Sequence, residues 1–246
     1  MKQLSNVKWI NALDLKLLAM VLMLCDHMWA TVIPGAQWLT NVGRLAFPIF
    51  AFQIAEGYFH THDFKTYLKR MFLFALISEI PFNLMHGAVF YPFAQNVMFT
   101  FVLALLMLRL LDWAKTRKLW VFVLMIPVVC ILSMVLGFAG FVDYYGFGIL
   151  MVVVFYLAHG KPWGFLLELA GLYVINVEMM GGMTIPVEIF GTVFDVSQQG
   201  LAMLALIPIW LYNGKQGPHS RTIQYACYAF YPVHMLVLSL LALYVL

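Results

Sequence analysis

Four ionisable residues with side chains that move protons or stabilise charge lie inside apolar stretches in the first third of the chain. Asp26 and His27 lie in the first stretch, Arg44 in the second and Glu79 in the third. Histidine is the usual general base near neutral pH, and arginine can hold a carboxylate or a developing oxyanion. Burying such groups in hydrocarbon costs a few kcal/mol each unless they are paired or solvated, so we interpret the four as one interior site.

The depths of these residues agree with that interpretation. If the first stretch begins at residue 13 and runs outward, His27 lies roughly 21 Å above the inner edge of the hydrocarbon, at 1.5 Å per residue. Arg44 lies about five residues inside a stretch that runs the other way, or roughly 8 Å below the outer interface. At that depth Arg44 can also snorkel to the outer headgroups without any chemical role. The common depth favours a shared site in which His27 faces a cavity as a general base. In that site Asp26 accepts from Arg44 or from a neighbouring backbone group, and Arg44 holds Asp26 or Glu79.

The composition requires a membrane around these stretches. The 246 residues are 64% hydrophobic and only 10% charged, with a mean hydropathy of +0.90, whereas a soluble domain carries about a quarter of its residues as charged side chains. A soluble enzyme and a nucleic-acid-binding protein are therefore excluded, and membrane lipids are the expected surroundings. Cys25, Cys130 and Cys227 lack the spacing of metal ligands, so no metal is predicted.

About nine apolar stretches have roughly the length that a helix needs to cross a hydrocarbon core of about 30 Å. They are 13–33, 39–59, 68–85, 96–113, 119–136, 141–157, 162–180, 198–212 and 222–245. Neither an internal repeat nor a long linker interrupts the series. The sequence therefore predicts an all-α, polytopic membrane bundle that forms one domain over residues 1–246.

The basic residues fix the orientation of this bundle. Connections on one side hold Lys2, Lys8, Lys16, Lys65, Lys69, Arg70, Arg109, Lys115, Arg117, Lys118, Lys161, Lys215 and Arg221, whereas those around 34–38, 86–93, 137–140 and 181–197 hold neither lysine nor arginine. By the positive-inside rule the amino terminus is cytoplasmic and the carboxyl terminus lies outside. The longest outer connection, 179–197, is rich in apolar residues and is either an ordinary loop or a re-entrant cover over an outward-facing pocket.

Four further polar residues are candidates for contacts with a substrate. Gln95 and Asn96 open the fourth stretch on the outer side, as helix caps or as hydrogen-bond donors into the pocket. His234 is a second histidine near the middle of the membrane, and it follows Tyr231 and Pro232. Proline at that position bends a helix and frees a carbonyl, which helps to open a cavity.

A compact basic segment on the inner side contains Lys65, Lys69 and Arg70. One interpretation is an anchor that orients the protein in the membrane. The other is a binding site for a phosphate-rich ligand that arrives from the cytoplasm. Both interpretations stay open.

Several ordered motifs resemble those of the TraX family. They are DLK at 14–16, DH at 26–27, GRLAFPIFAF at 43–52, EGY at 56–58, SEIPF at 78–82, QNVMFT at 95–100 and FYPVH at 230–234. They extend over nearly the whole chain and are densest between residues 13 and 112. The family is similar to the acetyltransferase of conjugative pilin, a bacterial inner-membrane protein. More remotely, residues 13–27 resemble the first catalytic helix of transmembrane acyltransferases that use cytoplasmic coenzyme A donors.

The resemblance implies a multi-pass inner-membrane enzyme that moves an acetyl group from acetyl-CoA to an amine or hydroxyl at the outer face, such as a pilin amino terminus. It implies His27 as the catalyst, and the depths given above place Asp26, Arg44 and Glu79 around it. It also implies that Lys65, Lys69 and Arg70 contact the coenzyme, although this chain has Lys-Arg where the acyltransferases show two spaced arginines. Two alternatives are a proton-coupled secondary transporter and a non-catalytic membrane assembly factor.

Overall fold

The structure is a computed structural model that describes residues 8–245, so Lys2 lies outside the described residues. Helices account for most of the chain. The α-helices are α1 Ala12–Thr31, α2 Gln37–Gly43, α3 Ala46–His60, α4 Phe64–Met85, α5 Val97–Lys115, α6 Leu119–Ala139, α7 Tyr145–Ala158, α8 Gly164–Tyr173, α9 Leu206–Trp210 and α10 Arg221–Val245. A π-helix, Val174–Met179, continues α8, and a 3₁₀-helix, Gln199–Ala205, precedes α9.

These helices run back and forth between two ends of a bundle. At one end, the backbone amide of Ala12 donates to the carbonyl of Lys215, so the start of α1 lies beside the segment that leads into α10. At the other end, Gln95 pairs with Phe141 and Asp143 through backbone hydrogen bonds of 2.8 and 2.9 Å. We call the first the basic end and the second the distal end. All the lysine and arginine residues in 8–245 except Arg44 lie toward the basic end.

Within the described residues, three helices are long and apolar enough to cross a membrane, namely Val97–Lys115, Leu119–Ala139 and Arg221–Leu243. The clearest is α6, because most of its apolar side chains are exposed, including Leu124, Ile131 and Val135. A surface of this kind is stable in contact with lipid and unstable in water. Two apolar helical segments are shorter, Tyr145–Ala158 and Gln199–Trp210.

The core lies between α3, α5 and α7, where Ile49, Leu105 and Met151 are fully buried. The helices around this core begin with caps that set the heights of their side chains. Asn11 accepts hydrogen bonds from the amides of Leu13 and Asp14, and the Asp14 carboxylate accepts from the amide of Asn11. This reciprocal capping fixes the start of α1 at the basic end, about 15 residues before His27.

The predicted second stretch, 39–59, is divided into α2 and α3 at Arg44 and Leu45. Pro48 explains the break. It lacks the amide hydrogen that would donate to the carbonyl of Arg44, and its ring would clash with that carbonyl in a continuous helix. Arg44 and Leu45 nevertheless keep right-handed helical backbone angles, so the break interrupts the hydrogen bonds without reversing the chain.

The prediction of an all-α fold was wrong in the longest distal connection. Strands β1 Thr184–Ile189 and β2 Thr192–Ser197 form an antiparallel hairpin in which Thr184 pairs with Ser197. Phe190 and Gly191 both have positive φ, 51° and 77°, as a two-residue hairpin turn requires. Most of the hairpin is exposed, so the connection is neither an irregular loop nor a segment that re-enters the bundle.

Candidate functional site

Two histidines from distant parts of the chain form a direct hydrogen bond. His27 lies on α1 and His234 on α10, and the distance from His27 Nδ1 to His234 Nε2 is 2.7 Å. The rings are nearly parallel, at 11°, with centroids 4.9 Å apart. The distance between the centroids is close to the N–N distance plus the two ring radii. The rings therefore lie edge to edge, as a linear hydrogen bond requires.

The hydrogen-bond partners also decide which ring nitrogens carry protons when both histidines are neutral. His234 Nδ1 lies 2.7 Å from the carbonyl oxygen of Phe230, which can only accept, so this nitrogen carries the proton. His234 Nε2 is then an acceptor, and His27 Nδ1 must donate to it. His27 Nε2 consequently keeps its lone pair, and no hydrogen-bond partner for it occurs among residues 8–245.

The neighbouring carboxylate, Asp26, forms a salt bridge with Arg44. One guanidinium nitrogen, Nη2, contacts both carboxylate oxygens, at 2.5 and 2.7 Å. The same guanidinium donates to Thr40, at 3.3 Å to its carbonyl and 3.1 Å to its hydroxyl. Both side chains of the pair are about one-fifth exposed, at 22% and 21%. Arg44 therefore does not snorkel freely toward the membrane surface.

A glycine permits this salt bridge by letting α1 and α2 approach closely. A Cβ atom built on Gly43 would lie 2.5 Å from Asp26 Cβ, a distance that the packing cannot accommodate without movement. Any larger residue would push Asp26 away from Arg44. Gly43 therefore acts through packing rather than through chemistry.

A polar chain that sequence reasoning missed continues from Arg44 into the π-helix. Arg44 Nη1 lies 3.5 Å from Gln199 Oε1, and the Gln199 amide donates to Asn176 Oδ1 at 2.9 Å. Asn176 is fully buried and donates to the carbonyl of Leu172. The sequence did contain a signal for this chain, because Asn176 and Gln199 each place an amide in an apolar helix, and buried amides require hydrogen-bond partners.

Glu79 does not join Arg44, contrary to one of the arrangements considered from the sequence. Its carboxylate accepts from Asn96 Nδ2 at 2.6 Å and, more weakly, from Asn83 at 3.4 Å. Asn96 also caps α5 and donates to the carbonyl of Ala75. Asn96 thus serves as a cap and as a donor together, and the expectation that all four ionisable residues make one cluster is replaced by separate contacts.

The other predicted residues divide between the two ends. Gln95 donates to the carbonyl of Pro92 in the distal loop, 3.0 Å away. Lys65 and Lys69 are exposed on the first turns of α4, at the basic end. Arg70 is half-buried, and its Nε atom has no hydrogen-bond partner among the described residues. None of the three basic residues lies at the histidine pair.

Two adjacent cavities lie between the basic end and the histidine pair. The inner cavity, of about 130 Å³, is bounded by α1, α3, α4, α5 and α10, and the outer cavity has a volume of about 300 Å³. Four residues line both cavities, Lys16, Gln53, Cys227 and Tyr228. Tyr231 lines the inner cavity together with Met23 and Phe230. In residues 8–245, no three His, Cys, Asp or Glu side chains are grouped as metal ligands.

Comparisons with known proteins agree on one family. The profile of the family described as TraX protein matches residues 12–242. The chain is 30% identical over 243 residues to a probable fimbrial assembly protein FimC, serogroup H1, of Dichelobacter nodosus, which covers 93% of this chain and 94% of that protein. It is 29% identical over 107 residues to Protein TraX of Escherichia coli, which covers 43% of this chain and 41% of that protein. No solved structure gives a significant match. The chain therefore belongs to the TraX protein family.

Proposed function

We propose that this chain is an integral-membrane acetyltransferase that moves an acetyl group from cytoplasmic acetyl-CoA to an amine or hydroxyl acceptor at the outer face. One observation carries the proposal. The hydrogen bonds from Phe230 through His234 to His27 leave the Nε2 atom of His27 as an unprotonated base inside the bundle. A neutral imidazole held in one tautomer is what general-base or nucleophilic catalysis requires.

In the proposed setting the protein lies in the bacterial inner membrane and crosses it nine times, with the basic end in the cytoplasm and the carboxyl terminus outside. The partition of basic residues between the two ends supports this orientation. Each predicted stretch corresponds to a helix or to a pair of consecutive helices. The distal end, with the hairpin, then faces the periplasm.

In the first proposed route, His27 Nε2 takes a proton from the acceptor amine or hydroxyl as the acceptor attacks the thioester carbonyl. The tetrahedral intermediate collapses, the carbon–sulfur bond breaks, and the coenzyme A thiolate receives the proton from His27. In the second route, Nε2 attacks the carbonyl itself, the carbon–sulfur bond breaks and coenzyme A leaves as the thiolate. The acceptor then attacks the acetyl group, the bond from Nε2 to the acetyl carbon breaks, and Nε2 takes the proton that the acceptor releases and passes it to the thiolate. In both routes the His27 Nδ1 proton stays hydrogen-bonded to His234, which disperses the positive charge of the ring.

The salt bridge with Arg44 has a supporting role in this proposal. It fixes Asp26 and, through the helix backbone, the direction of the adjacent His27 side chain. Arg44 Nη1 makes only a long contact of 3.5 Å with Gln199, so it retains donor capacity for an oxyanion. Glu79 and Asn96 lie on the distal side with Gln95, where we place contacts with the acceptor.

The negative charge of the donor and the names of the relatives suggest the two substrates. Lys65, Lys69 and Arg70 would draw a phosphate-bearing donor to the cytoplasmic end. The Dichelobacter nodosus relative is described as a probable fimbrial assembly protein, which supports a pilin-like amino terminus as the acceptor. Assembly of a fimbria without any catalysis is the competing function.

The decisive experiment is turnover by the purified protein in detergent or nanodiscs. Acetyl-CoA is supplied with a peptide that copies a pilin amino terminus, and mass spectrometry detects the acetylated peptide while a thiol reagent detects coenzyme A. We expect acetylation by the wild type and a loss of at least about 100-fold in His27→Ala, with retained donor binding. Absence of turnover with every amine and hydroxyl acceptor tried would favour the assembly function, and full activity in His27→Ala would refute the mechanism.

A further inference from the structure

The two adjacent cavities follow one another from the basic end toward the histidine pair, and we call the two together the channel. Its mouth is lined by His60, Gln216 and His219, among other residues, and its inner end by Met23, Phe230 and Tyr231. Lys16, Gln53, Cys227 and Tyr228 line both cavities, so the two share a boundary of four residues, and a ligand that displaces their side chains can occupy both. The channel therefore leads from the cytoplasmic face into the centre of the bundle.

The polarity of the channel changes along its length. At the junction of the two cavities, Lys16 is half-buried and forms no salt bridge among the described residues. The inner part is mostly apolar, with Met20, Met71 and Phe101 in its wall. The Glu56 carboxylate also lines the outer cavity, but it lies 3.2 Å from His159. A ligand that fits has an anionic end beside Lys16 and a narrow, less polar chain inside.

One buried atom at the junction indicates a more specific ligand. The amide nitrogen of Gln53 donates to the carbonyl of Ala12 at 2.7 Å, but its Oε1 atom is buried and has no hydrogen-bond donor. A buried acceptor without a donor costs about 1–3 kcal/mol, so such atoms occur chiefly where a ligand or water supplies the missing bond. Here the acceptor belongs to a residue that lines both cavities, so a rotation of the Gln53 side chain would present Oε1 to a ligand amide N–H in the channel.

The length of the channel sets a second condition. Along α1, Met23 lies seven residues beyond Lys16, or roughly 10 Å, and His27 eleven residues beyond it, or roughly 16 Å. The pantetheine arm of a coenzyme A thioester has about thirteen bonds from the sulfur to the nearest phosphate. At the ~3.5 Å that an extended peptide gains per three bonds, this arm reaches roughly 15 Å. It also carries two amide N–H groups.

We propose that this channel binds the arm of the acyl donor, with the phosphates near Lys16 and an amide N–H donated to Gln53. The inference rests on the proposed function in taking a phosphopantetheine thioester as the donor. Lys65 and Lys69 do not line the channel, and they contribute only long-range attraction. The Phe230 ring stacks on His234, with centroids 4.7 Å apart, so Phe230 or Met23 must change rotamer before the acetyl group reaches His27.

Cys227 provides a native reporter, because it is a free cysteine that lines both cavities. The test uses the full chain with Cys25→Ser and Cys130→Ser, and it measures the rate of Cys227 alkylation by a small maleimide. The probe is S-ethyl-coenzyme A, a thioether that neither reacts with maleimide nor transfers an acetyl group. Adenosine 3′,5′-bisphosphate is the control, because it has the anionic end but no arm. We expect a fall of about tenfold in alkylation rate with the thioether at saturation and no fall with the control.

Affinity measurements provide a second readout that does not depend on the thiol. We expect Gln53→Leu and Lys16→Ala each to weaken binding of S-ethyl-coenzyme A by about tenfold, with Gln53→Glu weakened less than Gln53→Leu because it keeps an acceptor. The matched control is Lys118→Ala, at an exposed lysine of the basic end that lines neither cavity, which should change affinity by less than about twofold at physiological salt.

The outcomes separate this inference from the proposed function. If the protein turns over acetyl-CoA while Cys227 stays unprotected and Lys16→Ala binds normally, the donor lies elsewhere, and only the channel assignment is overturned. If S-ethyl-coenzyme A protects Cys227 but no acceptor is acetylated, donor binding is supported and the transferase proposal fails. If S-ethyl-coenzyme A does not bind, both fail.

Discussion

Asp26 and His27 are neighbours on α1, yet two different kinds of contact hold them. Asp26 is held by a charged partner only 18 residues away, Arg44, which also contacts Thr40. His27 is held by a neutral partner 207 residues away, His234. The carboxylate is neutralised by its partner and so serves to position, whereas the imidazole keeps a free lone pair and so can react. The comparison teaches that an ionisable residue inside a bundle is reactive only where its contacts leave an atom unused.

The largest expected effect comes from variants that break the histidine pair without substituting His27. His234→Leu removes the acceptor for His27 Nδ1–H, so His27 is no longer restricted to one tautomer, and we expect kcat to fall by about 100-fold with little change in the KM for acetyl-CoA. His234→Gln places an oxygen near the position of Nε2 and should recover most of the rate. Nitrogen-15 NMR of labelled histidine should show His27 protonated at Nδ1 in the wild type and in His234→Gln. An equal loss of rate in both variants would show that His234 acts only through packing.

A second prediction concerns the salt bridge and tests stability rather than rate. Asp26→Ala leaves the Arg44 guanidinium without its carboxylate, and we expect a loss of roughly 1–3 kcal/mol in the free energy of unfolding. Asp26→Ala combined with Arg44→Ala should be less destabilised than the sum of the two single variants. Thermal unfolding in detergent measures this, with Asp195→Asn on the exposed hairpin as the control. Additive losses would mean that the two side chains are not coupled.

A third prediction tests the close approach that permits the salt bridge. Gly43→Ala introduces a methyl group where Asp26 Cβ already lies, so we expect a loss of about 1–3 kcal/mol in stability and a lower rate, because α1 shifts together with His27. Gly35→Ala is the matched control, since nothing lies within 4 Å of an added Cβ there. Equal melting temperatures for the two variants would contradict the packing described for α1 and α2.

The smallest expected effect distinguishes positioning from oxyanion stabilisation. In Arg44→Lys, one ammonium can replace the single nitrogen, Nη2, that contacts Asp26, so we expect nearly unchanged stability. The donors directed at Thr40 and Gln199 are lost, and if Nη1 stabilises an oxyanion, kcat should fall by about tenfold. Measurements of kcat and of the melting temperature for Arg44→Lys distinguish the two roles. A full rate in a stable Arg44→Lys variant would restrict Arg44 to positioning.

Local patterns were sufficient to predict most of the helices and the salt bridge. Apolar length placed the helices close to their observed bounds, and counting residues along two antiparallel segments put Asp26 and Arg44 at one depth. The break before α3 was also predictable from Pro48 but was missed, because the apolar run continues through it. The hairpin had a signal as well, since the β-branched residues Ile185, Val187 and Ile189 recur at every second position of β1.

The histidine pair could not be predicted with the same certainty. His234 was a candidate for substrate contacts because of its depth, but no local pattern specifies which of many helix faces meet in a bundle. That choice depends on how α1, α4 and α10 pack together. The channel was missed for the same reason, because Lys16, Gln53 and Cys227 come from three different helices and have no shared motif.

The hydrogen bond between α1 and α10 has a consequence for the biosynthesis of the protein. α1 enters the membrane early during translation, whereas α10 is the last helix in the described chain. Until α10 inserts, His27 has no partner to hold its tautomer, and the channel lacks the wall that Cys227, Tyr228 and Phe230 provide. A nascent or truncated chain without α10 therefore has neither the histidine pair nor the complete wall of the two cavities.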